Sequence, residues 1–416
     1  MDALKALSGF LDRPLFPWKK LIVTFSIGQF LINSYLSLRQ YKVLQRTKVP
    51  KALEAEIDQE TYDKSQAYGR AKAKFGFVSS LFAQSLDLAI ISYNVYPRLW
   101  ATTGLWMASY FPARFSGEIS HSLLFIMTYG FTTSLLDLPF SYYKNFVLEE
   151  QFGFNKQTVG LWVSDFFKTQ GLTLGLGIPV GAAFLSIIKL TGDKFFLYLW
   201  GFALFMQAFL MTIFPALIVP LFNKLTPLPP GTLKTSVESL AAKLKFPLSE
   251  LQVIDGSKRS AHSNAYFAGL PWKKTIVLFD TLIEKSEEKE VVAVLAHEIG
   301  HWKLNHIPKN LGIVQAHLFW IFALFSAFVH NGSLYSAFGF HREQPIIIGF
   351  ILFNEILSPS ESLMGLGMNI LSRKFEFQAD AFSQKLGYGK ELATSLIKLQ
   401  IQNLSVMVCV PEVYHF

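Results

Sequence analysis

Residues 287–301 read Glu287-Glu288-Lys289-Glu290-Val291-Val292-Ala293-Val294-Leu295-Ala296-His297-Glu298-Ile299-Gly300-His301. Acidic residues at the start and an unbroken apolar run after them predict a helix. On a helix, His297 and His301 lie about 40° apart around the axis and face the same way. Two imidazoles so placed suit two corners of a tetrahedral zinc site. Glu298 points to the side of that site, where a carboxylate can take a proton from water. A buried apolar helix is a costly place for two imidazoles and a carboxylate without partners. The stretch is therefore expected to carry a metal centre.

The surroundings are those of a membrane protein. The chain has 416 residues, of which 51% are hydrophobic and 16% charged, against about 25% charged in a typical soluble domain. Mean hydropathy is +0.32. Seven stretches are apolar enough to be read as spans: Leu21 to Leu38, Phe75 to Val95, Ser122 to Tyr142, Leu172 to Leu190, Phe195 to Phe222, Leu311 to Val329 and Pro345 to Met368. The first reads as a retained signal anchor, because it is long and no small-residue cleavage pattern follows it. Asp87, Asp137 and Glu355 fall within spans. Intramembrane acids are costly and usually face a watery interior.

The formal net charge is +8. The basic residues collect in loops beside apolar segments and do not form one soluble face with stacking aromatics, so a nucleic-acid partner is not expected. Arg39, Lys42, Arg46, Lys48, Lys51, Lys64, Arg70, Lys72 and Lys74 crowd the first loop, whereas Arg98 and Arg114 are alone in the second. This asymmetry predicts that odd-numbered loops are cytosolic. The only cysteine, Cys409, allows neither an internal disulfide nor a thiolate zinc cluster.

Five segments follow. Residues 1–222 form a membrane region with five spans. Residues 223–308 form a loop long enough for a small α+β domain, with a helix over Thr235 to Leu244, strands over Leu251 to Ile254 and Thr275 to Phe279, and the zinc helix. Residues 309–369 hold spans six and seven, 370–405 a C-terminal helix, and 406–416 a divergent tail.

A catalytic zinc site needs a third protein ligand and an open position. His306 would lie about 140° around the helix from His301, which fits a helix-end or supporting residue. Glu376 is the better candidate. Arg373, Glu376 and Asp380 share one helical face, so Glu376 could complete the site while Asp380 accepts a hydrogen bond from a ligand histidine. The plainer reading is an exposed helix with Arg373–Glu376 and Asp380–Lys385 ion pairs.

His297 to His306, Ser372 to Ala381, Ser263-Asn264-Ala265-Tyr266, Glu149 to Thr158 and Pro220 to Leu225 together resemble the type I CAAX prenyl proteases, from about Leu38 to Ser405. The resemblance implies seven long helices around a water-filled interior chamber, with one Zn2+ at its cytosolic end. It implies His297, His301 and Glu376 as metal ligands, Glu298 as general base, Asp380 as proton donor or supporting residue, and Arg373 as a steadying neighbour. Asn264 and Ala265 would match the strand that holds substrate backbone, with the edge continuing to Tyr266. The implied activity removes the last three residues of prenylated CAAX proteins, and in fungi also cuts upstream in a lipidated mating pheromone. The implied membrane is the endoplasmic reticulum or inner nuclear envelope. After Ser405 the family's downstream histidine and arginine motif has no counterpart that His415 can fill. Two alternatives share the same core: a quality-control metallopeptidase of membrane proteins, and an impaired scaffold.

Overall fold

Side chains that satisfy free backbone N–H groups mark where helices begin. Asp58 accepts from the Thr61 amide at 2.7 Å, and Thr158 from the Leu161 amide at 3.2 Å. In this computed structural model, which describes residues 6, 9–14 and 16–407, they open two of the longest helices. The elements that position the site are α1 (Trp18–Val43), α2 (Gln59–Ser92), α3 (Val95–Tyr110), α4 (Glu118–Tyr143), α5 (Val159–Thr191), α6 (Phe195–Ile213), β1 (Leu225–Pro227), α7 (Thr232–Leu244), β2 (Leu248–Ile254), β3 (Ala265–Leu270), β4 (Lys273–Phe279), α8 (Asp280–Lys285), α9 (Glu288–Lys303), α10 (His306–Phe328), α11 (Gly332–Ala337), α12 (Ile346–Lys385) and α13 (Gly389–Gln402).

Among the described residues, six apolar helical stretches are long enough to cross a bilayer. The longest, Val159–Phe222, has 64 residues, far beyond the roughly 20 that one crossing needs. It is broken at Gly192, whose φ of +55° is open to glycine at little cost, and so supplies two rods, α5 and α6. The chain is an α-helical integral membrane protein with a small α+β domain.

The long helices meet at one pole. Trp18 and Ile22 open α1, Ile90 and Ile91 close α2, and Leu185 and Ile188 close α5. Phe195 and Leu199 open α6, Phe325 and Phe328 close α10, and Ile348 and Phe353 lie near the start of α12; all join one buried cluster. Among membrane-spanning helices, where lipid is as apolar as leucine, such a cluster holds the rods by close packing and not by removal of surface from water. Away from that pole the rods bury little. Within α1 only Trp18, Ile22 and Val43 are buried, and within α5 only Leu185 and Ile188. Rods packed at one end and open along their length enclose a chamber. Polar groups join neighbouring rods: Ser26 of α1 donates to Asp87 of α2 at 2.9 Å, and Gln29 of α1 donates to Ser362 of α12 at 2.8 Å. Asp87 thus meets the polar interior expected of it, whereas Asp137 is exposed.

The opposite pole is the α+β domain. Its sheet runs β1-β2-β4-β3, with β2 and β4 parallel and both outer pairs antiparallel. Val237, Leu240 and Leu244 of α7 join Ile276 and Leu278 of β4 and Val291 and Leu295 of α9 in a second core.

Several boundaries differ from the sequence reading. Val95–Tyr110, read as loop, is helical, and Asn94 in a left-handed conformation (φ +51°) separates it from α2. The last span and the helix bearing Glu376 are one 40-residue helix, because no glycine cap or terminating proline interrupts residues 369–375. Most of the 406–416 tail, with Cys409 and His415, lies outside the described residues.

Candidate metal centre

The ligand helix starts from a reciprocal cap. The Glu290 side chain accepts from the Glu287 amide at 2.9 Å and pairs with Lys398 of α13 at 2.5 Å. Ten of the residues from Glu290 to Gly300 are buried, and only Glu298 is intermediate. The other half of the centre comes from the end of α12, which packs against α9 at Gly300. A Cβ there would stand 3.0 Å from Phe382 and 3.4 Å from the Ala379 backbone. Glycine therefore permits the approach, and the Ser383 hydroxyl donates to the Ala293 carbonyl at 3.3 Å beside it.

This packing brings three of the expected residues together. The Nε2 atoms of His297 and His301 are 3.1 Å apart, and Glu376 Oε2 lies 3.3 Å from the first and 3.7 Å from the second. Zinc–nitrogen bonds of about 2.0–2.1 Å at tetrahedral angles place donors roughly 3.3 Å from one another. The triangle fits that requirement, and its two-nitrogen, one-oxygen donor set is that of a catalytic site with an open corner.

The far ring nitrogens are held as well. His297 Nδ1 lies 2.8 Å from Asp380 Oδ1. His301 Nδ1 lies 2.9 Å from His306 Nδ1, and His306 Nε2 lies 3.0 Å from Gln378 Oε1. If each Nδ1–H of the ligand histidines donates outward, both Nε2 lone pairs face the centre, and the chain from His301 through His306 to Gln378 closes without a conflict of donors. His306 reaches this place because Asn305 adopts a left-handed conformation (φ +57°), which ends α9 and starts α10. The 140° estimate assumed one continuous helix. The His306 ring stacks on Phe375 at 4.0 Å.

Burial pushes the Glu298 carboxyl above its ordinary range, and the attraction of His297 and His301 only partly opposes this. Burial works to lower His297, but its contact with Glu376 and the charges of Glu298, Asp380 and Glu376 outweigh it, so the ring is raised. Arg373 lies 5.6 Å over the Phe377 ring, and Asp380 turns to His297, away from the ion pair that an exposed helix would make.

Asn264, Ala265 and Tyr266 enter β3, the outer strand of the sheet. The Asn264 carbonyl accepts from the Phe279 amide at 3.1 Å. By antiparallel alternation, Ala265, Phe267 and Gly269 then turn their backbone groups away from β4. Asn264 Oδ1 takes up the Ala265 amide at 2.8 Å, and Lys274 Nζ takes up the Gly269 carbonyl at 2.6 Å. The open edge is thus the Ala265 carbonyl, both backbone groups of Phe267 and the Gly269 amide. Tyr266 is half-buried with its ring near Phe279.

The sequence reading assigned no task to the Glu149–Thr158 stretch. In the structure it straps the entry to β3. Phe154 stacks on His262 at 4.2 Å, and its carbonyl accepts from the Ala261 amide at 3.1 Å. Glu149 accepts from Tyr68 at 2.9 Å, and Arg259 forks onto Asp165 at 2.8 and 2.9 Å. His262 Nδ1 meets Asn403 Oδ1 at 3.1 Å. The length of the matched stretch was the one sign in the sequence that it mattered.

Residues 40–224 match the CAAX prenyl protease N-terminal family with five membrane helices, and residues 227–414 match peptidase family M48, past the Ser405 where the resemblance read from sequence ends. CAAX prenyl protease 1 of Saccharomyces cerevisiae is 46% identical over 99% of this chain and 95% of its own length. The human CAAX prenyl protease 1 homolog is 39% identical over 93% and 90%. The crystal structure of S. mikatae Ste24p superposes with a TM-score of 0.91 at 47% identity, covering 97% of this chain and 96% of that one.

Proposed function

This chain belongs to the M48 metallopeptidases of the CAAX prenyl protease type, and we propose that it binds one zinc ion through His297, His301 and Glu376 and hydrolyses the peptide bond that releases the last three residues of prenylated CAAX proteins. The observation that carries this is the donor triangle of 3.1, 3.3 and 3.7 Å, with Glu298 beside it, at the end of a membrane chamber. Zinc in that place supplies Lewis acidity, polarising a carbonyl and lowering the pKa of water towards about 7. Glu298 accepts the proton of the attacking water and returns it to the leaving nitrogen, a task helped by a carboxyl already raised by burial. Asp380 and His306 hold the ligand rings in the tautomer that keeps Nε2 open. Substrate backbone adds along the Ala265–Phe267 edge, which sets register without demanding side-chain identity. The membrane of the endoplasmic reticulum follows from the family resemblance, and the positive charge of the first loop supports a centre facing the cytosol.

The test is Glu298→Gln in purified full-length protein. Zinc content should stay at that of the wild type while cleavage of a farnesylated CAAX peptide falls about 100-fold or more. Near-normal turnover with zinc retained overturns the assignment. Equal cleavage of prenylated and unprenylated peptides by the wild type points to the quality-control alternative.

A further inference from the structure

The chamber wall has two characters. Between α1 and α2 a cavity of 770 Å³ is lined by polar groups such as Ser26, Gln29, Asn33 and Asp87. A second cavity of 770 Å³ lies between α5, α6 and α10 and is almost wholly hydrocarbon, with Phe184, Phe202, Met206, Leu318 and Phe322 in its wall. Among the described residues, Gln207 and Lys274 are the only polar side chains that line it. The cavity lies along one face of α6. Leu199, Phe202, Ala203 and Met206 recur at the spacing of one helical face and line it, whereas Leu197, Leu204 and Phe205 are exposed on the other side.

The apolar cavity is continuous with the catalytic sheet. Phe267, Ala268 and Gly269 form its rim. Phe267 belongs to the open edge of β3, and Ala268 and Gly269 continue the strand from it. The Lys274 ammonium closes the Gly269 carbonyl and lies 5.5 Å over the Phe267 ring, so backbone pairing stops there and hydrocarbon begins. A strand laid on Ala265–Phe267 has polar pairing on one flank and an apolar chamber at its end. The volume falls within the about 300–1,000 Å³ of small-molecule pockets, which are likewise mostly apolar with a few placed polar groups.

Resting on the proteolytic reading above, we infer that this cavity takes up the isoprenyl chain of the substrate whose backbone pairs with β3. Recognition here is by packing contact along the hydrocarbon, so longer chains that fill more of the cavity gain more from the site. The cavity between α1 and α2, where polar side chains interrupt the hydrocarbon, offers less.

The experiment uses full-length protein in detergent with one CAAX peptide bearing a geranylgeranyl, farnesyl, geranyl or methyl thioether. In the wild type KM should fall with chain length. Ala203→Trp and Leu318→Trp should raise KM for the two longer chains about tenfold, with zinc content, kcat and the methyl peptide little changed. An equal loss for all four peptides, or no dependence on chain length in the wild type, overturns the inference. A farnesyl peptide with a photoreactive group at the chain terminus covers the case in which a tryptophan variant fails to fold. Labelling of α6 or α10 in the wild type supports the cavity, and labelling of α1 or α2, or a bound phospholipid that the peptide does not displace, overturns it. The label reads occupancy whether or not the peptide is cut, so absent turnover counts against the protease and misplaced label against the cavity.

Discussion

Asp380→Ala should weaken zinc binding without removing a ligand. Asp380 Oδ1 lies 2.8 Å from His297 Nδ1, a charge-assisted contact, and such hydrogen bonds contribute about 1.5–3 kcal/mol. The Asp380 side chain is 42% exposed, so water screens part of this, and about 1–2 kcal/mol is the expected share. At about 1.4 kcal/mol per factor of ten, zinc affinity should fall roughly 5- to 30-fold. The alanine variant also frees His297 to place its proton on Nε2, which the metal must then displace. Asp380→Asn keeps an acceptor and loses only the charge, so it should lose less. Chelator competition at fixed pH and ionic strength measures the affinity directly. Zinc-dependent protection against thermal unfolding gives an independent reading, since protection grows with the logarithm of ligand over Kd. An alanine variant within twofold of wild type, or an asparagine variant weaker than alanine, refutes the claim that Asp380 acts by orienting His297.

Three further outcomes follow from the same geometry. Gly300→Val puts a branched side chain where even a Cβ meets Phe382 at 3.0 Å; it should separate α9 from α12, lower stability by about 1–3 kcal/mol and cut zinc content in metal analysis, while Glu298→Gln leaves that content intact. Phe267→Pro removes an outward amide from β3 yet keeps the pairing with β4; kcat/KM for the farnesylated peptide should fall about tenfold with zinc unchanged, and an unaltered kcat/KM would remove β3 from substrate binding. Asp165→Asn breaks the forked pair with Arg259, whose side chains are 17% and 20% exposed; thermal unfolding should show a loss of about 1.5–3 kcal/mol, with KM rising more than kcat falls as the strap on β3 loosens.

What could be read in advance depended on the distance along the chain over which a feature is written. His297, Glu298 and His301 lie within five positions, and helical geometry alone places the two rings on one side. Asp380 and Glu376 were legible as a shared face for the same reason, but only resemblance tied that face to the histidines. His306 was misjudged in its angle because a single left-handed residue, Asn305, redirects the chain, and asparagine writes no such instruction unambiguously. Met368 ends the apolar run but not the helix, because polar residues such as Ser372-Arg373-Lys374 continue a helix as readily as apolar ones. The helix Val95–Tyr110 does not read as a span, because its 16 residues fall short of the roughly 20 that one crossing needs; Pro97 sits in its first turn, where proline is tolerated.

The amino-acid sequence by itself determined the membrane class and the helical face that carries His297, Glu298 and His301, since these rest on composition and on contacts between near neighbours. Tertiary structure alone decided that α12 brings Glu376 within reach of both rings, that β3 lies at the sheet edge with open backbone groups, and that one wall of the chamber is hydrocarbon and another polar. Those features depend on close approaches such as that at Gly300 between segments tens of residues apart, where packing and not periodicity chooses the partner.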